Sequence, residues 1–164
     1  MKALILARFQ PFHLGHLHAI ESARKKFDEV VIAVGSSNKK GSKENPFSFE
    51  ERKEMIEMCI PNVEVVGIED MESDEDWCKN ILQKVEFDVV ISSSSWVKKC
   101  FSGKREVQAP DLLVPELYNG TKIREKMAKG EEWKEFVPKK VSKFIKKIDG
   151  EKRIRKLAEK DLEF

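Results

Sequence analysis

The sequence predicts an α/β chain, a Rossmann-like doubly wound parallel sheet with a C-terminal helical extension. Three observations carry this. Four short runs rich in β-branched residues, at residues 2–7, 30–35, 63–68 and 87–91, have the unbroken apolar character of strands buried on both faces. The segments between them repeat their apolar residues at helical spacing. The two kinds alternate as βαβαβαβα, the order that right-handed crossovers wind into a parallel sheet.

Each element has its own signal. The first run opens the chain, and Arg8-Phe9-Gln10-Pro11-Phe12-His13-Leu14 interrupts it with a proline. Gly15-His16 then starts a helix carried by Ile20, Ala23 and Phe27. The second strand ends at Gly35-Ser36-Ser37-Asn38 and enters a basic loop, Lys39-Lys40-Gly41-Ser42-Lys43, read as a flap over a polyphosphate. Ser48-Phe49-Glu50-Glu51 is a capping box for a helix through Cys59, with Met55, Ile56 and Cys59 buried and Pro61-Asn62 as its stop. After the third strand comes an acidic turn, residues 69–76, with Trp77 just inside the next helix; acids there suit the helix dipole. The fourth strand runs into four serines, residues 92–95, and a short edge strand is expected within 108–115. Gly120 is expected to permit a turn, and Thr121 to cap a helix carrying Ile123, Met127 and Ala128. Beyond Gly130, Val141, Phe144, Ile145 and Ile148 mark one helix and Ile154, Leu157, Ala158 and Leu162 a last one. Lys139-Lys140-Val141-Ser142-Lys143 lies inside that helical pattern and reads as helix, not as a nucleotide-binding loop. The expected division is 1–130 for the sheet domain and 131–164 for helices packed on it or at a subunit interface.

Bulk properties narrow the class. The 164 residues fit a single domain, and 40% hydrophobic content supports a core. Lys and Arg number 31 against 29 Asp and Glu, and a net charge of +2 argues against a nucleic-acid partner. Cys59, Cys78 and Cys100 show no paired spacing and read as reduced thiols of a cytoplasmic protein. No apolar run approaches membrane-spanning length, so no membrane role is expected.

Two stretches carry chemistry. Strand, turn and helix start at residues 4–16 offer backbone N–H groups and a positive dipole end to a phosphate. His13 and His16 can both face that anion, with Gly15 between them leaving room for it. The second stretch is Tyr118-Asn119-Gly120-Thr121-Lys122-Ile123-Arg124, with Arg124 one turn into its helix. The first string resembles the N-terminal motif of nucleotidyltransferases with a His-x-Gly-His site, and among them the archaeal-type nicotinamide-nucleotide adenylyltransferases. The second resembles their Ser-x-Thr-x-x-Arg motif, at the expected distance.

The resemblance covers residues 3 to about 157 and implies an adenine nucleotide alpha hydrolase-like fold and an adenylyltransferase. AMP would pass from ATP to nicotinamide mononucleotide, giving NAD and pyrophosphate. It implies His13, His16, Arg8 and Arg124 as catalytic residues, and Phe9, Gln10, Gly15, Asn119, Gly120, Thr121 and Ile123 at the ATP. Asp70, Trp77 and Ser92 would serve the acceptor, Trp77 as the platform for the nicotinamide ring. Mg²⁺ is expected to be held chiefly by ATP oxygens, with no metal site of the protein's own. A homo-oligomer is implied. The chain departs from the pattern at Ala7, where Gly is usual, at Ser92-Ser93-Ser94, where Ser-Gly-Asn is usual, and at Asn119, which replaces a Ser. The serine run leaves open another acceptor, FMN or phosphopantetheine, or a cytidylyl transfer. A non-catalytic nucleotide-binding or RNA-binding module is the remaining alternative.

Overall fold

The computed structural model of the chain describes residues 1–160. Leu162, expected on the apolar stripe of the last helix, lies outside the described residues. Five parallel strands form one sheet in the order β3-β2-β1-β4-β5: β1 (Lys2–Ala7), β2 (Glu29–Val34), β3 (Glu64–Gly67), β4 (Val89–Ile91) and β5 (Glu106–Gln108). The helices are α1 (Leu14–Lys26), α2 (Phe49–Cys59), α3 (Asp74–Lys84), α4 (Ser95–Phe101), α5 (Gly120–Lys129), α6 (Lys139–Lys147) and α7 (Gly150–Lys160), with a 3₁₀ turn at Lys134–Phe136.

The winding on both faces follows from the period of two along a strand. On β1, Ala3 and Ile5 point into one core with Ile32 and Val34 of β2, while Leu4 and Leu6 point into the other with Val31 and Ala33. The first core is closed by α1, α2 and α5 and also takes Val141 and Ile145 of α6 and Ile154 of α7. The second is closed by α3 and α4 through Trp77, Cys78, Ile81, Val97 and Phe101. Strands sealed on both sides have no face to spare for polar residues, which is why their sequences read as continuous apolar runs.

Local rules set the helix ends. Ser48 accepts from the Glu51 N–H while the Glu51 carboxylate accepts from the Ser48 N–H, the capping box read from sequence. Burial alone would raise the Glu51 pKa, but hydrogen bonds from Arg153 (2.7 and 2.9 Å) hold it below its ordinary value and join α7 to the start of α2. The expected edge strand lies earlier than 108–115: β5 is Glu106–Gln108, beside β4 with Val89 opposite Glu106. With one apolar residue in three, it has little strand character of its own. Thr121 is not the cap of α5. Asn119 is, its side chain accepting from the Lys122 N–H at 3.2 Å. No described helix is long and apolar enough to cross a membrane.

β1 lies between β2 and β4, so the chain winds one way from it to β3 and then the other way to β4 and β5. In open α/β sheets the crevice at such a reversal, beyond the strand C-termini, is where ligands sit.

Candidate active site

A cavity of about 500 Å³ opens there, floored by Ile5, Leu6 and Ala7 of β1 and Ile91 of β4. Two segments 100 residues apart in sequence meet in its wall. Arg8 comes from the end of β1, His13, Gly15 and His16 from the start of α1, and Asn119, Gly120, Thr121 and Arg124 from the start of α5. Ser92 and Tyr118 also line it, and among the described residues no Asp or Glu does.

The two histidines cap α1 for each other. His13 Nδ1 accepts from the His16 N–H at 3.3 Å, and His16 Nδ1 accepts from the His13 N–H at 3.2 Å. Their rings stack with centroids 3.6 Å apart. Because each Nδ1 is an acceptor, the proton of each neutral imidazole sits on Nε2. Burial lowers the His13 pKa from 6.5 to about 4 and pushes that of His16 well below its ordinary value, the His13 charge adding to it. At neutral pH they are therefore neutral N–H donors. Phe9, buried and with φ 56, packs its ring against His16 at 4.5 Å and keeps it from turning.

Both glycines of the motifs serve close packing. A Cβ on Gly15 would lie 2.9 Å from the His13 ring and 3.0 Å from Tyr118 Cβ, so the missing side chain makes room for the neighbouring imidazole, not for the anion itself. Gly120 does not need the left-handed region. A Cβ there would stand 3.1 Å from Arg124 Nη1 and 3.2 Å from the Gln10 carbonyl, between two hydrogen-bonding groups. Those groups bond at 2.7 Å, joining α5 to the loop after β1, and Arg124 Nη2 reaches Thr121 Oγ1 at 3.4 Å. Burial first, then the Arg8 charge, lowers the Arg124 pKa. Two guanidinium groups that repel each other beside a cavity without carboxylates make a site that favours an anion.

Arg52 belongs to the same frame and sequence reasoning missed it. The side chain is fully buried, and its hydrogen-bond partners among the described residues are backbone carbonyls. Its donors reach the carbonyls of Arg8 and Gly35 (both 2.9 Å), Ser36 (3.0 Å) and Ser48 (3.1 Å), tying the ends of β1 and β2 to α2. Burial, then Arg8, lowers its pKa to about 10, leaving it charged at neutral pH. A signal existed: Arg52 stands on the stripe of Met55, Ile56 and Cys59, where an apolar residue belongs.

Other expected residues are placed differently. The Gln10 side chain is taken up by the Phe47 backbone, accepting its N–H at 3.0 Å and donating to its carbonyl at 2.9 Å; only its position lines the cavity. Ile123 is buried in the first core. Lys39 and Lys40 are exposed and do not line the cavity. Asp70 accepts from the Ser36 hydroxyl at 2.9 Å and its N–H donates to Asn38, pinning its turn to the loop after β2. Trp77, expected as an open platform, is 5% exposed in the second core, because Trp96 and Phe101 pack on it at 4.4 and 6.0 Å. No group of three or more His, Cys, Asp or Glu suited to a metal occurs among the described residues.

Residues 4–146 match the family described as Cytidylyltransferase-like. The chain is 38% identical over 167 residues to a nicotinamide-nucleotide adenylyltransferase of Methanococcus maripaludis (strain C5), covering 98% of both. It is 34% identical over 173 residues to that of Archaeoglobus fulgidus, covering 98% of this chain and 99% of the relative. Among solved structures it resembles a bifunctional NMN adenylyltransferase/ADP ribose pyrophosphatase from Francisella tularensis, complexed with AMP and a Mn ion. The TM-score is 0.76 at 26% identity over 95% of this chain, which spans 51% of that one.

Proposed function

This chain belongs to the cytidylyltransferase-like family, among the nicotinamide-nucleotide adenylyltransferases, and from that premise we propose how its residues perform the reaction. It makes NAD from ATP and nicotinamide mononucleotide. An oxygen of the mononucleotide's phosphate bonds to the α-phosphorus of ATP in line with the bond to the bridging oxygen, which breaks as pyrophosphate leaves. The attacking phosphate has a second pKa of about 6 and arrives ionised, so no general base is needed. The difficulty is electrostatic, since two anions meet and negative charge grows on the leaving group.

The observation that carries this reading is the meeting of the α1 and α5 N-termini in one cavity, with neutral imidazole donors from one and a guanidinium from the other. His16 donates Nε2–H to the α-phosphate, and His13 beside it serves the bridging oxygen. Arg8 and Arg124 hold the phosphates, whose geometry matches the guanidinium fork. The first N–H groups of α5, with Thr121, receive the leaving pyrophosphate. Neutral imidazoles donate without adding a positive charge to a site already holding two arginines. Mg²⁺ would be held chiefly by the ATP phosphates, beside cavity hydroxyls such as that of Thr121, and would supply positive charge that offsets theirs. We infer a cytoplasmic protein from its three free thiols, and a homo-oligomer from the family resemblance alone.

The test is incubation with ATP, Mg²⁺ and one acceptor at a time. NAD and pyrophosphate in equal amounts from nicotinamide mononucleotide, with no product from FMN or phosphopantetheine, supports the reading. Pyrophosphate release with FMN or phosphopantetheine alone overturns the acceptor.

A further inference from the structure

Arg124 shares the cavity wall with Arg8, and the two guanidinium groups repel each other. An anchor must therefore hold Arg124 at the wall before an anion arrives. Its bond to the Gln10 carbonyl is short, 2.7 Å, and its bond to Thr121 Oγ1 is long, 3.4 Å. The stronger anchor is thus a backbone oxygen in the connection between β1 and α1, residues 8–13, which is neither helix nor strand. A carbonyl outside any ladder is held only as firmly as the side chains around it are held.

Gln10 itself supplies that hold. Its side chain is buried and closes two hydrogen bonds with one residue, donating to the Phe47 carbonyl at 2.9 Å and accepting the Phe47 N–H at 3.0 Å. Two bonds to one residue's backbone fix rotation as well as position. Phe47 is in turn gripped from the far end of the chain. Its ring lies in the first core with the Arg153 guanidinium 5.8 Å from its centroid. Arg153 also donates to the Pro46 carbonyl at 3.1 Å and forks onto Glu51. α7 comes this close because it starts at Gly150, where a Cβ would stand 3.0 Å from Phe47 Cε1. Contacts therefore run from α7 through residues 46 and 47 to the Gln10 side chain, and from the Gln10 carbonyl to Arg124.

We propose that Gln10 is a positioning residue for the reaction, setting the Arg124 guanidinium toward the phosphates, and that Arg153 on the last helix holds Gln10's partner in place. This rests on the reading of Arg124 as a group that holds phosphate. The C-terminal helix then does more than close the core, since loosening its grip slows turnover.

The experiment compares Gln10→Met and Arg153→Met with the wild type, each alone and combined with Arg124→Ala. Arg155→Met is the control on the same helix, since it breaks only an exposed pair with Glu151. Two quantities are read on folded protein: kcat for NAD synthesis, and Kd for pyrophosphate with Mg²⁺ by calorimetry. Gln10→Met is expected to worsen both about tenfold, as for loss of one charged hydrogen bond, and Arg153→Met about threefold. Arg155→Met leaves both at the wild-type value. On the Arg124→Ala background the two test substitutions cost less than about twofold more, because the group they position is gone. Wild-type values in folded Gln10→Met or in Arg153→Met, or losses that multiply with that of Arg124→Ala, overturn the proposal. If Gln10→Met does not fold, Arg153→Met and its cycle with Arg124→Ala decide, since they leave Gln10 in place. Should Arg124→Ala itself keep both kcat and pyrophosphate affinity, the phosphate-holding reading of Arg124 fails and takes this one with it. Should it lose them while Gln10→Met and Arg153→Met do not, only the positioning role fails.

Discussion

In one half of the cavity wall the candidate donors other than Arg8, which directly follows β1, sit within a few residues of a helix start: His13 and His16 at α1, Asn119 to Arg124 at α5. On the side expected from sequence to take the acceptor's base, Trp77 and Trp96 stand on two separate helices, and which of them faces outward depends on how α3 and α4 pack. The first end is fixed by short-range rules of capping and close approach. The second is fixed by tertiary packing. Substitutions at the first should therefore damage turnover, and at the second the affinity for one substrate.

The sharpest way to break that contrast is His16→Ala. Loss of a donor that acts on transition-state charge costs on the order of a hundredfold in kcat, with ATP affinity changed only a few-fold. Steady-state rates and an ATP titration measure both. Near-normal kcat would place the imidazole outside the chemistry.

A pH comparison probes the buried pair next. His13 titrates near 4 in the fold against 6.5 in the open chain, so between those values the unfolded chain binds more protons. The stability that His13 contributes is complete above 6.5 and is lost as the pH falls toward 4. Between pH 7 and pH 5 this amounts to about 2 kcal/mol. Urea midpoints of the wild type should fall with that shift, and His13→Asn, which keeps an N-cap, should fall by about that much less. Equal pH slopes in the two proteins would mean that the imidazole is not held neutral by burial.

Gly120→Ala is a smaller intrusion at the same end. Its methyl would stand 3.1 Å from Arg124 Nη1 and 3.2 Å from the Gln10 carbonyl, so the guanidinium must shift against that carbonyl and their hydrogen bond is strained. We expect up to about a tenfold fall in kcat, in line with weakening of one charged hydrogen bond, and a KM for nicotinamide mononucleotide close to wild type. A variant that instead loses only acceptor affinity would erase the division between the two ends.

The same contrast explains what the sequence could tell. Residues 48–51 spell out their own cap, and the strand runs announce themselves because they are sealed on both faces. The two motif strings are local enough to recognise, and the cavity brings them together. What stayed hidden depends on distant partners. Arg52 matters because carbonyls from two connections, after β1 and between β2 and α2, converge on it, which no periodicity records. Thr121 lost the capping position to Asn119 because either side chain suits that role and only the backbone decides where the helix begins. Trp77 follows an acidic turn and looks accessible in sequence, yet Trp96, nineteen residues later, lies across it.

The central claim is that the two N-terminal segments act on one reacting phosphate. A double-mutant cycle on kcat with His16→Ala, Arg124→Ala and the combined variant tests it most directly. Shared work on one transition state predicts a combined loss at least about tenfold smaller than the product of the single losses. Losses that simply multiply would mean that the imidazole and the guanidinium serve separate events, and the account would be wrong.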